Sequence, residues 1–171
     1  MVKVGHIFLL LASFLFVNPV LAGQFTITKV YDGDTVRAET ADTAIYIFLL
    51  GIDAPEISDN AGEEGQPFGK SAKEELAQLV LNKTVEVKGY GKAGYPDNYI
   101  VGVIYAQGKN INLELVRRGV AEVHKEGLPE GFDVEPYLAA ETEARENKTG
   151  MWILGDKYVS PSQWRKSRME Q

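Results

Sequence analysis

The stretches that decide the fold are Val30-Tyr-Asp-Gly-Asp-Thr-Val36 and Leu49-Leu-Gly-Ile-Asp-Ala-Pro-Glu56. Asp32-Gly33, in the first, is a strong hairpin signal between two segments of alternating apolar and polar residues. The second stretch closes a strand predicted over 44–51. Asp34 opens one strand, and Asp53 and Glu56 follow the next, so an antiparallel hairpin brings the three carboxylates to the same end. The sequence therefore predicts an acidic site at one end of a β-hairpin.

Working outward, the chain predicts five strands, with helices inserted after the third strand and after the fifth. The first helix is predicted from the capping-box pattern at Ser71–Glu74 to about Asn82. A short helix capped by Asn112 ends at Gly119, and a last helix starts near Pro136. The predicted strands cover 25–30, 35–39, 44–51, 84–88 and 99–105. This order is typical of an α+β, mainly β fold: a small barrel with about three helices.

The first residues have the pattern of a signal peptide. An apolar run over 7–17 follows Lys3 and precedes Val20-Leu21-Ala22, so we expect cleavage near Ala22 and export to the periplasm or the medium. The alternative is a buried first helix. We therefore divide the chain into a signal peptide (1–22), one domain (23–155) and a polar C-terminal tail (156–171). With no cysteine for lipidation, we expect no membrane anchor in the mature form, and we expect a monomer.

The composition suits a folded domain but not a strongly basic nucleic-acid binder. Of the 171 residues, 44% are hydrophobic and 25% charged, enough for a core of its own. The formal net charge is −6, and loss of Lys3 with the signal peptide makes it one unit more negative. Non-specific affinity for phosphates comes mainly from Lys and Arg, so this balance weakens any binding to DNA or RNA. A polar loop over 57–68 adds Asp59, Glu63 and Glu64.

The carboxylates have the chemistry of a divalent-metal site. Hard cations such as Ca²⁺ take carboxylates, carbonyls and water. Pro55 holds Ala54 extended, which can aim the Ala54 carbonyl at the same site as Asp34 and Asp53. The structural alternative is that Asp-Gly-Asp-Thr is an ordinary tight turn and Asp-Ala-Pro-Glu an ordinary strand exit.

Together, these motifs and several others resemble the staphylococcal-nuclease-like, or thermonuclease, family. The resemblance implies a five-stranded OB-fold barrel and Ca²⁺-dependent cleavage of DNA or RNA, and it covers most of the mature chain. The further matching segments are Gln66-Pro-Phe-Gly-Lys-Ser-Ala72, Gly108-Lys-Asn-Ile-Asn-Leu-Glu-Leu-Val116, Arg118-Gly-Val-Ala121, Ala139-Ala-Glu-Thr-Glu-Ala-Arg145, Gly150-Met-Trp152 and Pro161-Ser-Gln-Trp-Arg165.

The resemblance also implies residue roles. Asp34 and Asp53 correspond to the Ca²⁺ carboxylates, and Ala54 offers its carbonyl. Glu56 corresponds to the residue that holds or deprotonates the attacking water. The metal then supplies Lewis acidity, and the carboxylate near the water supplies general-base help.

Two phosphate-binding arginines of that family are replaced here. The first corresponds to Phe48, and the second, counted back from Gly102, to Tyr99. Neither ring can donate a bidentate charge-assisted hydrogen bond to phosphate. Loss of one preorganised donor costs about 10²–10³ in rate, so we expect weak or lost nuclease activity. Whether the two rings line a pocket or simply pack is left open.

Candidate substitute cations are Arg37, Lys88 and Lys92, for each of which the alternative is a solvated surface charge. The sequence thus supports two functional hypotheses. The chain is either a weak exported nuclease or a non-catalytic OB-fold module that binds a metal or another ligand.

Overall fold

Strands and helices account for most of the residues that the computed structural model describes, which are 21–58, 64–94 and 98–170. For Leu21 and Ala22 it describes the backbone alone. The strands are β1 (Leu21–Val30), β2 (Thr35–Glu39), β3 (Ala44–Leu49), β4 (Ile52–Asp53), β5 (Thr84–Lys92), β6 (Tyr99–Ala106), β7 (Lys109–Asn110) and β8 (Glu122–Val123). The helices are α1 (Gly69–Val80), α2 (Ile111–Arg117), α3 (Glu135–Glu146), the 3₁₀ segment Gly150–Lys157 and α4 (Pro161–Met169).

Five strands close into a barrel, as predicted. The sheet order is β3-β2-β1-β5-β6-β7, and a parallel pairing of β3 with β6 closes it. The Asp32-Gly33 turn joins the antiparallel strands β1 and β2, which confirms the predicted hairpin. The third strand ends at Leu49 rather than Gly51, because Gly51 has a positive φ of 80° and turns the chain into β4.

The core fills the barrel and extends under α1 and α2. Alternate residues of each strand point inward, among them the fully buried Ile27, Val36, Ile47 and Ile104. The inward face of α1 is formed by Ala72, Leu76 and Val80, as its apolar period predicts. Burial of these side chains is the main source of stability.

Two helix starts differ from the prediction. The capping box at Ser71 does not form, because α1 already begins at Gly69 and Ser71 lies inside its first turn. The short helix α2 is capped by Asn110, whose side chain accepts a hydrogen bond from the Leu113 N–H (3.0 Å). Asn112 is instead fully buried, and its amide nitrogen donates to the carbonyls of Leu50 and Gly102, both at 3.0 Å. The predicted cap is therefore a polar bridge between α2 and the barrel.

The C-terminal segment packs back onto the domain. Three of the α-helices, α1 to α3, correspond to the three predicted, while α4 lies within the segment expected to be a polar tail. A capping box on Ser160 starts α4. The apolar run over 7–17 lies outside the described residues. No helix in the described ranges is long and apolar enough to cross a membrane.

Candidate active site

Asp34 is positioned by the β1–β2 turn. Its backbone N–H donates to Asp32 Oδ1 (2.9 Å), which tightens the turn. One carboxylate oxygen of Asp34 accepts from the Thr35 hydroxyl (3.0 Å), and the other accepts from the Ala54 N–H (2.9 Å). The last bond ties the hairpin turn to the segment after β4, so the two sequence motifs meet in space.

Asp34 lies in a poorly solvated position that disfavours its ionised form. Its pKa is raised to about 8, mainly by burial and secondly by the negative charge of the neighbouring Asp32. The hydrogen bond from Ala54 acts in the opposite direction. No salt bridge to Asp34 is found within the described parts of the chain. A cation placed beside it would therefore stabilise its ionised form.

Asp53 lies on the two-residue strand β4, which pairs with β8 so that Asp53 faces Glu122. The Asp53 side chain is buried, with about 9% of its surface exposed. Gly51, with its positive φ, allows the sharp step from β3 into β4. Without this turn, the Asp53 carboxylate would lie along the side of the barrel instead of at its end.

Glu56 is held by the loop that leads into α1. Its N–H donates to Gln66 Oε1 (3.1 Å), and its carbonyl accepts from the Gln66 N–H (2.9 Å). The buried Gln66 side chain also donates to the carbonyl of Val159 (2.8 Å), just before α4. Gln66 thus connects the candidate general base to the C-terminal segment.

Arg165 on α4 is the cation that contacts these carboxylates. Its guanidinium forms a bidentate pair with Asp53, Nη1 to Oδ1 at 3.0 Å and Nη2 to Oδ2 at 2.8 Å, and Nη1 also donates to Glu56. The hydrogen bonds to Asp53 are the main reason that the pKa of Arg165 is raised. The guanidinium therefore stays charged and joins the two acids.

A small cavity of about 170 Å³ lies at this end of the barrel. Asp34, Asp53 and Arg165 line it, together with Phe48 and His124. The two aspartates predicted as metal ligands therefore share one cavity, and a guanidinium already occupies its wall. Phe48, one of the two aromatic positions singled out in the sequence analysis, borders the same space.

Tyr99, the other aromatic position singled out in the sequence analysis, lies further along the barrel surface. Tyr99 stacks on Tyr46, with ring centroids 4.5 Å apart and nearly parallel planes, and lies 5.7 Å from the ring of Phe48. Pro96 and Asp97, which precede Tyr99 in the sequence, lie outside the described residues. Asp59 and Glu63 of the polar loop over 57–68 also lie outside them.

The three predicted substitute cations lie in other surroundings. Arg37 pairs with Glu39 on its own strand (2.8 Å). Lys88 lies over the ring of Tyr90, 4.9 Å from its centroid, and the hydrogen bond to Tyr90 raises the pKa of Lys88. Lys92 is exposed at the end of β5. Arg165, which the sequence reasoning did not consider as a site residue, is placed against Asp53 and Glu56.

Glu122 was also missed. It stands opposite Asp53 on β8 and accepts a hydrogen bond from the Tyr158 hydroxyl (2.7 Å). Burial is the largest cause of its raised pKa, and the charge of Asp53 adds to it. The pairing of two-residue strands that places Glu122 here has no local sequence signal.

A closed five-stranded barrel with helices around it and ligand-type residues at its end defines a protein of the OB-barrel class. Residues 46–154 match the family model described as "Staphylococcal nuclease homologue", and the chain belongs to this family. It is 34% identical over 166 residues to an "Uncharacterized endonuclease" of Haemophilus influenzae, covering 92% of this chain and 85% of the relative.

Two further relatives have similar identity. An "Uncharacterized endonuclease" of Escherichia coli is 33% identical over 159 residues, covering 91% of this chain and 94% of that protein. The "Probable endonuclease lcl3" of Pyrenophora tritici-repentis is 35% identical over 124 residues, covering 69% of this chain and 45% of the relative. The match to the bacterial relatives thus spans nearly the whole of both chains.

The donor set suits a hard cation such as Ca²⁺. No group of three His, Cys, Asp or Glu side chains arranged to hold a metal occurs among the described residues. However, Asp34 and Asp53 line one cavity, and Asp34 is a half-buried carboxylate with a second acid beside it. Carboxylate oxygens are the ligands that Ca²⁺ prefers. A cation would have to share Asp53 with Arg165, which donates a hydrogen bond to each of its carboxylate oxygens.

Proposed function

We propose that this chain is an exported, monomeric phosphodiesterase that cleaves DNA or RNA slowly and depends on Ca²⁺. The observation that supports it best is that Asp34 and Asp53 line one cavity, close to Glu56, which Arg165 joins to Asp53. The relatives named as endonucleases support the same reaction class.

Each acid has a distinct role in this proposal. Asp34, Asp53 and the Ala54 carbonyl would hold the cation, which supplies Lewis acidity toward a phosphoryl oxygen when bound. Glu56 orients a water molecule and takes its proton as general base. Gln66 keeps the Glu56 backbone in place through two hydrogen bonds.

Arg165 takes the role that Phe48 and Tyr99 cannot fill. Its side chain is 41% exposed, so a phosphate can reach the guanidinium. A planar guanidinium matches the geometry of phosphate oxygens. We expect a slow reaction for two reasons. Arg165 also donates hydrogen bonds to Asp53 and Glu56, and the rings of Phe48 and Tyr99 cannot pair with the phosphate as arginine does.

The test is cleavage of single-stranded DNA and of RNA by the purified mature protein, with Ca²⁺ or with chelator. Chelator should abolish cleavage, and Asp53→Asn should lower the rate at least about tenfold. Glu146→Gln, an exposed acid on α3, is the matched control and should cleave like the parent. Cleavage that is unaffected by chelator and by Asp53→Asn would refute the proposal.

The role of Arg165 has its own readout. Arg165→Ala should lower the turnover number by about 10²-fold, and Arg165→Lys should recover part of it, because lysine keeps the charge but not the fork. A turnover number that rises in Arg165→Ala would mean that this residue blocks the site instead.

The alternative is a binding module without hydrolysis. It is favoured by one observation, that Arg165 already neutralises Asp53 and Glu56 in the resting structure. Saturable Ca²⁺ binding without cleavage of either nucleic acid would support this alternative over the enzyme.

A further inference from the structure

Four aromatic rings form a continuous patch on the outside of the barrel. We call Tyr31, Tyr46, Phe48 and Tyr99 the aromatic patch. Tyr99 contacts both Tyr46 (4.5 Å between centroids) and Phe48 (5.7 Å), and Tyr31 lies 5.7 Å from Tyr46. Phe48 is 38% exposed, and it extends the surface formed by the other three rings.

Strand register places this patch beside two cations. Lys29 on β1 stands opposite Arg37 on β2, Arg37 opposite Tyr46 on β3, and Tyr46 opposite Tyr99 on β6. The row therefore crosses four strands, with positive charge on one half and rings on the other. Neighbouring positions such as Val36 and Ile47 point into the core, so the row belongs to the outer face.

Lys29 and Arg37 differ in their contacts with other side chains. Lys29 is exposed and lies over the ring of Tyr31, 4.4 Å from its centroid. Arg37 pairs with Glu39, but its Nε is buried and has no hydrogen-bond partner among the described residues. Both remain on the outer face next to the rings.

The aromatic patch is continuous with the candidate active site. All four rings line a cavity of about 280 Å³, and Glu56 lines the same cavity. Phe48 also borders the smaller cavity of Asp34, Asp53 and Arg165. A chain lying along the patch therefore passes directly beside the acids and the guanidinium.

We propose that the aromatic patch binds the bases of single-stranded nucleic acid, with Lys29 and Arg37 facing its phosphates. This deepens the proposed function and rests on it. Aromatic rings beside a positively charged track are how proteins hold unpaired strands, because every base offers a face for stacking. In a duplex these faces are already stacked on each other, so the patch selects single strands.

The replacement of both family arginines then has one explanation. Arginine at positions 48 and 99 would contact phosphate, whereas Phe48 and Tyr99 extend the ring surface that Tyr31 and Tyr46 begin. Affinity for the strand would come from stacking, which tolerates an acidic overall charge better than phosphate contacts do.

The experiment measures binding without cleavage. Fluorescence anisotropy in chelator follows a labelled single-stranded oligothymidine, its duplex with oligoadenosine, and unlabelled polyphosphate as competitor. The single strand should bind at least about tenfold more tightly than the duplex, and polyphosphate should displace it poorly. Equal affinity for both forms, or complete displacement by polyphosphate at equal charge, would overturn the proposal.

Substitutions locate the binding surface. Phe48→Leu keeps an apolar side chain but removes the ring, and should weaken binding about tenfold. Tyr105→Leu, a partly exposed tyrosine further along β6, is the matched control and should bind like the parent. An equal effect of the two substitutions, or none of Phe48→Leu, would refute the assignment.

A measurement on the unaltered protein guards against misfolded variants. Photocrosslinking of an oligonucleotide containing bromodeoxyuridine should label residues of the aromatic patch, and labelling confined to other surfaces would overturn the proposal. The outcome is separable from catalysis. Tight binding to the patch without cleavage in Ca²⁺ refutes the nuclease but keeps the inference, whereas cleavage with unchanged binding by Phe48→Leu refutes the inference alone.

Discussion

At the scale of single residues, Phe48 has the most informative position. Its ring belongs to the aromatic patch and lines two cavities, the one shared with the other three rings and the one that Asp34 and Asp53 line. A side chain at this position can therefore reach either the reacting phosphate or a base.

Phe48→Arg should raise the rate of cleavage. A guanidinium at this position would border both aspartates, and one donor to the transition state contributes about 10²–10³ in rate. We expect an increase of about tenfold or more in the turnover number on single-stranded DNA with Ca²⁺. Phe48→Leu, which adds no donor, is the control. If the two variants cleave at the same rate, position 48 does not face the phosphate.

At the scale of elements, α4 delivers a residue that local sequence patterns do not reveal. The β1–β2 hairpin and the meeting of Asp34 with Ala54 follow from short motifs, and the structure agrees with both. Arg165 lies 112 residues from Asp53 along the chain. Pro161 is the buried residue of α4, so the helix has no apolar stripe that would predict its docking. Long-range ion pairs of this kind have no signal in local periodicity.

Loss of Arg165 should tighten Ca²⁺ binding. Arg165 and a cation compete for the oxygens of Asp53, so Arg165→Ala frees that carboxylate. Because the guanidinium is 41% exposed, the pair is screened by solvent, and we expect a two- to fivefold lower Kd, or about 0.4–1 kcal/mol. Calorimetric titration with Ca²⁺ measures it.

The matched control is Arg168→Ala on the same helix, since Arg168 donates to the carbonyl of Glu64 instead of to a site acid. It should leave the Kd for Ca²⁺ unchanged. Weaker binding in Arg165→Ala would show that Arg165 supports the cation site instead of competing with it.

At the scale of the whole molecule, two glycines join the barrel region to the C-terminal segment. Gly119 follows α2 and Gly150 begins the 3₁₀ segment, and both have positive φ. The Met151 N–H donates to the Gly119 carbonyl (2.8 Å). A Cβ on Gly119 would lie 2.2 Å from the Thr149 carbonyl oxygen. This close approach of two backbones holds Met151 and Trp152 in their buried cluster.

Gly119→Ala should destabilise the protein by about 3 kcal/mol or more, because backbone strain and a clash with backbone act together. Gly127→Ala is a strict control, since Gly127 has nearly the same φ (65° against 63°) but no atom near the added Cβ. Gly127→Ala should lower the free energy of unfolding only by the cost of placing alanine in the left-handed conformation, about 1–2 kcal/mol. Urea denaturation of both variants measures the difference, and equal losses would show that the contact relaxes freely.

The pair of Arg165 with Asp53 also determines when the site can exist during folding. Closing a loop of 112 residues costs more conformational entropy than closing a short one. The hairpin that carries Asp34 can form from local contacts, whereas the guanidinium arrives after the barrel has closed and the C-terminal segment has packed against it. A partly folded chain would thus hold the acids without their cation, so the ion pair between α4 and β4 reports complete folding.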